Sequence, residues 1–155
     1  MQMTRALLEG WRQRGAGHAV YISSISGKIA TSGASVYSAT KFGLRGFAQG
    51  MRDELHGTDI GISCINPGFI RDAGMFADSG ATLPKTIGTN SPEEVAAAVV
   101  HAVLGDKGDV DVAPALIRVT AKLNGLAPEL MAGIARRMGT GDVITQISAG
   151  QHDRR

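Results

Sequence analysis

A chain of 155 residues with 43% hydrophobic and 5% aromatic content has the size of one domain, able to bury about 68–70% of its unfolded surface. A net charge of +2, with no Lys/Arg run longer than two, gives no argument for a nucleic-acid partner, and no apolar stretch reaches the roughly eighteen residues that span a bilayer. The single cysteine, Cys64, excludes an internal disulfide framework and fits a reducing setting.

Residues 2 to 14 read as a helix, with Met3, Leu7 and Trp11 at four-residue spacing and Gly15 and Gly17 ending it. This segment carries Arg5, Glu9, Arg12 and Arg14 and lacks a signal-peptide apolar region, so the expected location is the cytoplasm. His18 to Ile25 is an apolar, β-branched run that reads as a buried strand. Ser26 to Ala34 is a Gly/Ser/Thr-rich loop, and a helix follows from about Ser35 to His56, with Phe42, Leu44, Phe47, Met51 and Leu55 on its apolar surface. Gly43, Gly46 and Gly50 each cost about 1 kcal/mol relative to Ala inside a helix, so they point to close approach of another backbone, such as a symmetry-related helix.

Ile60 to Ile65 is a second buried strand, stopped by Asn66-Pro67-Gly68, and Cys64 within it reads as a buried, inert thiol. Residues 69 to 91 form a long Gly/Thr/Ser/Ala-rich stretch of the kind used as a lid, with a short helix over Gly74 to Asp78. Ser91-Pro92-Glu93-Glu94 is a capping box with Pro at the first helical position. That helix runs to Leu104 with Val95, Val99 and Val103 inward. Asp109 to Pro114 reads as a third strand, and two helices follow from Ala115, broken at Gly125 and Pro128, with Arg136 and Arg137 near the end of the second and a solvated Arg154-Arg155 tail. Helices alternating with buried strands imply right-handed βαβ units and a parallel sheet.

The chemistry concentrates at Tyr37 and Lys41. Four residues apart in a helix, they share one face, one turn apart. A Lys⁺ beside a phenol favours the phenolate, which lets the phenol exchange protons nearer to neutral pH. Ser24, thirteen residues before Tyr37, supplies a hydroxyl that could hold a substrate oxygen. The set suits proton transfer to or from an alcohol or carbonyl.

The ordered set Ile22-Ser-Ser24-x-x-Gly27, Tyr37-Ser-Ala-Thr-Lys41 and Asn66-Pro-Gly68 resembles the short-chain dehydrogenase/reductase family over roughly residues 1 to 114. The resemblance implies a partial Rossmann-like, doubly wound α/β sheet of about three parallel strands with a C-terminal helical extension. It implies an NAD(P)-dependent oxidoreductase in which Tyr37 is the general acid/base, Lys41 tunes it and bonds the nicotinamide ribose, and Ser24 holds the substrate oxygen. Pro67, Gly68 and Ile70 would contact the nicotinamide, with NAD or NADP as cofactor, and Phe69, Met75 and Phe76 would line the pocket for a small alcohol or carbonyl substrate.

Two departures stand out. Asp72 occupies the place of a common family Thr, and no glycine-rich strand–turn–helix fingerprint for the pyrophosphate occurs in the sequence. The chain therefore looks like one N-terminally truncated domain, 1–114 as core and 115–155 as helical extension and tail. The strand at 18–25 would then have one unpaired edge, and homo-oligomerisation is expected there or through the 35–56 helix.

Other readings are weaker. Ser38-Ala-Thr-Lys41 fits the S-x-x-K of acyl-enzymes, without S-D-N and with Lys85-Thr-Ile-Gly in place of K-T-G. Gly27-Lys28 lacks the upstream Gly of a P-loop, and His18, His56, His101 and His152 have no metal spacing. Leu116, Leu123, Leu126, Leu130 and Met131 suit a cover over the substrate loop or a subunit contact, with membrane-surface binding as the minor reading and no membrane partner expected. The alternative to an enzyme is a non-catalytic remnant that keeps only the packing and association surfaces of the fold.

Overall fold

The structure, a computed structural model, describes residues 1–83 and 87–137. The readings placed on Lys85, His152 and the Arg154-Arg155 tail lie outside these residues, as do those on the side chains of Arg136 and Arg137. In chain order the elements are α1 (Gln2–Arg14), β1 (Gly17–Ile22), a 3₁₀ turn (Ile25–Gly27), α2 (Ser35–Glu54), β2 (Ile60–Pro67), α3 (Met75–Ser79), α4 (Pro92–Leu104), β3 (Asp109–Val112), α5 (Ala115–Leu126) and α6 (Pro128–Arg137).

The three strands form one parallel sheet in the order β1-β2-β3. β2 is central and nearly all buried, as a strand covered on both faces must be. Its alternate residues divide the core. Ile60, Ile62 and Cys64 face α1 and α2, packing on Leu8, Trp11, Ala48 and Leu55. Ile65 faces the other way and packs with Val112 and Ala102 against Val95 and Val99 of α4. Helices on both faces make the sheet doubly wound. A third cluster, Ile25, Ala113 and Ala121 with Ile29 and Ile117, seats α5 beside the 3₁₀ turn.

Several boundaries and faces differ from expectation. β1 stops at Ile22 because the next residues turn into the 3₁₀ segment, whereas β2 runs on through Asn66 and Pro67, paired with Asp111 and Val112 of β3. The short helix starts at Met75 behind Gly74, and α5 passes through Gly125 and ends before Pro128. In α1 the inward face is Thr4, Leu8 and Trp11, while Met3 and Leu7 are exposed. Thr4 makes this possible, since its hydroxyl bonds that of Tyr21. In α4, Ala102 is buried in place of Val103, because only a small side chain fits where the helix meets Ile65. Phe42 on α2 is exposed, and open space surrounds Gly43, Gly46 and Gly50 among the described residues. The Ser91 capping box forms as read, Ser91 accepting from the Glu94 N–H and Glu94 accepting from the Ser91 N–H.

Candidate active site

β1 and β2 pair as Tyr21↔Cys64 and Ile22↔Ile65, so their carboxyl ends finish side by side, where open α/β sheets place ligands. Past Ile22 the chain is held by the Ser23 N–H, which donates to the Ile65 carbonyl at 2.8 Å. Ser24 then caps the 3₁₀ turn, its Oγ accepting from the Ser26 N–H at 3.1 Å. The same hydroxyl donates to the Pro67 carbonyl at 3.4 Å, a long contact that a substrate oxygen could replace.

The turn carrying Ser24 is fastened to the helix carrying the other two residues. Ser23 is buried and its hydroxyl donates to the Lys41 carbonyl at 3.0 Å. Gly27 lies against that carbonyl, and a Cβ there would stand 2.8 Å from it and 2.8 Å from Ser23 Oγ. Only glycine permits so close an approach. Sequence reasoning missed Ser23. Its signal was the doubled serine at the end of an alternating strand, where successive side chains point opposite ways.

On α2, Lys41 Nζ lies 5.5 Å from the centroid of the Tyr37 ring, within cation–π range, and donates to the Ile22 carbonyl at 3.1 Å. Burial lowers the Lys41 pKa from its ordinary 10.5, with the nearby Cys64 thiol acting in the opposite direction. Tyr37 is half-buried, and its hydroxyl bonds no other described residue. Ser24 and Tyr37 are not directly hydrogen-bonded. Lys41, Tyr37 and Ser24 thus sit around the carboxyl ends of β1 and β2, joined through Ile22, Ser23 and Pro67.

The Pro67 end of β2 is fixed from the far side. Asn66 is fully buried, and its Nδ2 donates to Asp109 and, at 3.1 Å, to Asp111. Lys28 Nζ pairs with Asp109 at 2.8 Å and Asp111 at 2.6 Å, and Arg45 pairs with Asp109 at 3.1 Å. Burial pushes the Asp109 carboxyl up, but hydrogen bonds from Lys28, Arg45 and Asn66 outweigh it and hold the group below its ordinary value. Burial raises the Cys64 thiol to about 11, which leaves it protonated and unreactive, as the sequence suggested.

Gly68 continues from β2 by donating to the Val112 carbonyl at 2.9 Å, and Ala113 stands 3.1 Å from where its Cβ would be. The loop beyond is pinched shut by a bridge between Ile70 and Asn90. The Phe69 carbonyl accepts from the Asn90 N–H at 3.0 Å, and the Phe69 ring pairs with that of Phe76 at 5.2 Å between ring centres. Met75 points to solvent, so of the three expected substrate residues the structure joins only the two phenylalanines. Asp72, in the left-handed region at φ 71, is exposed and pairs with Arg71. Ser38 is buried with an unpartnered hydroxyl, and Lys41 is committed to Ile22. The S-x-x-K reading fails on that geometry.

The family model described as "short chain dehydrogenase" matches residues 1–84. Ketoacyl reductase HetN of Nostoc sp. is 43% identical over 103 residues, covering 66% of this chain and 36% of that protein. A dehydrogenase/reductase SDR family protein 7-like of Drosophila melanogaster is 32% identical over 135 residues, covering 83% of this chain and 41% of its own length. Among solved structures, the closed form of a serine dehydrogenase complexed with NADP+ superposes with a TM-score of 0.57 at 30% identity, over 72% of this chain and 50% of that one. A 4-hydroxyisoleucine dehydrogenase complexed with NADH, at 20% identity and a TM-score of 0.59 over 71% of this chain and 51% of that one, shares the fold. The chain spans less than half the length of these curated relatives.

Proposed function

Because this chain belongs to the short-chain dehydrogenase family, we propose that it carries the proton-transfer half of a nicotinamide-dependent oxidoreductase acting on an alcohol or carbonyl. The observation that supports this most is the Tyr37 hydroxyl, without a hydrogen-bond partner among the described residues, beside Lys41 on a helix fastened to the turn that carries Ser24. Tyr37 protonates the carbonyl oxygen, or deprotonates the alcohol in the reverse direction. Lys41 holds a positive charge next to that phenol and favours its ionised form as the proton leaves. Ser24 exchanges its long contact with Pro67 for the substrate oxygen and positions it.

The residues present fit the nicotinamide end of NAD or NADP. Tyr37 and Lys41 would hold the ribose, and Pro67, Gly68 and the bridged backbone of Ile70 would contact the nicotinamide ring. When bound, that cofactor supplies or accepts the hydride. Phe69 and Phe76 form the apolar side toward the substrate. In this reading residues 1–114 are the catalytic core and 115–155 an extension, in a cytoplasmic protein. It associates through α2 or through the open edge of β1.

Fluorescence titration of the purified chain with NADH and NADPH tests the reading. Saturable binding in the micromolar range is expected, weakened about tenfold by Lys41→Ala, a loss of roughly 1.4 kcal/mol. No saturable binding, or binding indifferent to Lys41, would contradict it.

A further inference from the structure

α5 has two unlike sides. Ile117, Ala121 and Asn124 face inward, the last donating to the Lys28 carbonyl at 2.9 Å. On the opposite side Leu116, Val119, Leu123 and Leu126 stand 46% to 83% exposed, and Leu130 and Ile134 of α6 continue the apolar surface. At 100° per residue the α5 four fall within one arc of about 80°, with Arg118 and Lys122 along one flank of it. Neither of these cations has an ion-pair partner among the described residues.

Charge says what this surface suits. Residues 115–137 hold four cations, Arg118, Lys122, Arg136 and Arg137, against the single carboxylate of Glu129, a balance of +3. The whole chain carries only +2, so the rest balances to −1 and the positive charge is concentrated on these two helices. A second copy laid on the same stripe would bring like charges together. An anionic surface would not. α5 is also too short to enter a bilayer, its 12 residues extending about 18 Å, and no helix among the described residues is long and apolar enough to cross one.

We propose that α5 and α6 form a docking surface for an anionic lipid bilayer, lying along the headgroups with the exposed leucines in the acyl boundary. An apolar arc with a cationic flank suits an interfacial helix, and the cations add an electrostatic attraction that salt screens. The expectation of no membrane partner rested on the lack of a spanning segment. A surface-bound helix needs none, and the exposure of the stripe favours what the sequence left as its minor reading.

Flotation of the 155-residue chain with vesicles tests this directly, using phosphatidylcholine alone and phosphatidylcholine mixed with phosphatidylglycerol. The chain should float with the mixed vesicles and not the neutral ones, and higher salt should weaken the association. Two double variants, Leu123→Glu with Leu126→Glu and Arg118→Glu with Lys122→Glu, should each reduce it by about tenfold or more with an unchanged helical circular-dichroism signal. Absence of flotation with anionic vesicles would overturn the proposal, as would flotation that both variants and salt leave intact. Self-association abolished by the leucine variant, with no vesicle binding by the unsubstituted chain, would assign the surface to a second copy instead.

Discussion

The two edges of the sheet are built differently. At the β3 edge, Asp109 and Asp111 are held by Lys28, Arg45 and the buried amide of Asn66, so three elements distant in sequence lock onto one another. At the β1 edge the strand is half-buried, pairs among the described residues only with β2, and on its other side leaves backbone groups without a strand partner, the Ile22 carbonyl being taken by Lys41. The residues proposed to be catalytic, Ser24, Tyr37 and Lys41, lie between, at the carboxyl ends of β1 and β2. One side of the site is therefore rigidly supported by this chain, and the other offers a backbone to something else.

Removing the lock should cost most. Lys28→Ala leaves Asp111, only 11% exposed, without its cation. Against the roughly 3–5 kcal/mol of a fully buried pair, about 2 kcal/mol is expected. At roughly 2–4 °C per kcal/mol, the melting temperature should drop by several degrees. An unchanged melting temperature would mean the β3 edge is no firmer than the other. Gly27→Ala strikes between the edges, forcing a Cβ onto the Lys41 carbonyl. A loss of about 1–3 kcal/mol should accompany a drop in any cofactor-linked activity, since the turn carries Ser24. Ser91→Ala, remote from both edges, should cost only about 1 kcal/mol through the lost cap and leave cofactor affinity alone.

Acid should separate the edges by pH. Burial lowers the pKa of His18 on β1 from its ordinary 6.5, with Asp106 opposing and Arg52 assisting. The folded protein thus resists protonating His18. Stability from this group is full above pH 6.5 and is lost as pH falls from there through the lowered value. Asp109 is depressed below 3.8, so its contribution persists until pH falls below that value and through the folded pKa. Titration of thermal stability should show two separate declines, the first absent in His18→Gln and the second reduced in Asp109→Asn. A single decline common to both variants would merge what the geometry separates.

Local patterns made much of this legible. The capping box at Ser91, the strands around Val20 and Ile62, and the Tyr37–Lys41 turn all depend on residues near one another in sequence. The unread parts depend on distant partners. Nothing local marks Lys28 as the partner of Asp109 and Asp111, about eighty positions away. Nor does Thr4 announce that α1 will turn Leu8 and Trp11 inward and leave Met3 outside. Ser23 drew no reading beside Ser24, yet its hydroxyl reaches the Lys41 carbonyl while that of Ser24 reaches Pro67.

The most direct test supplies what the β1 edge lacks. Joined to the preceding half of a full-length relative, the chain should oxidise NADH or NADPH in the presence of a carbonyl substrate. Tyr37→Phe should slow that reaction by about 10²–10⁴-fold while leaving the melting temperature and cofactor affinity near those of the unsubstituted protein. Turnover in the Tyr37→Phe protein equal to that of the parent, or no turnover in a joined protein that folds and binds cofactor, would contradict the account.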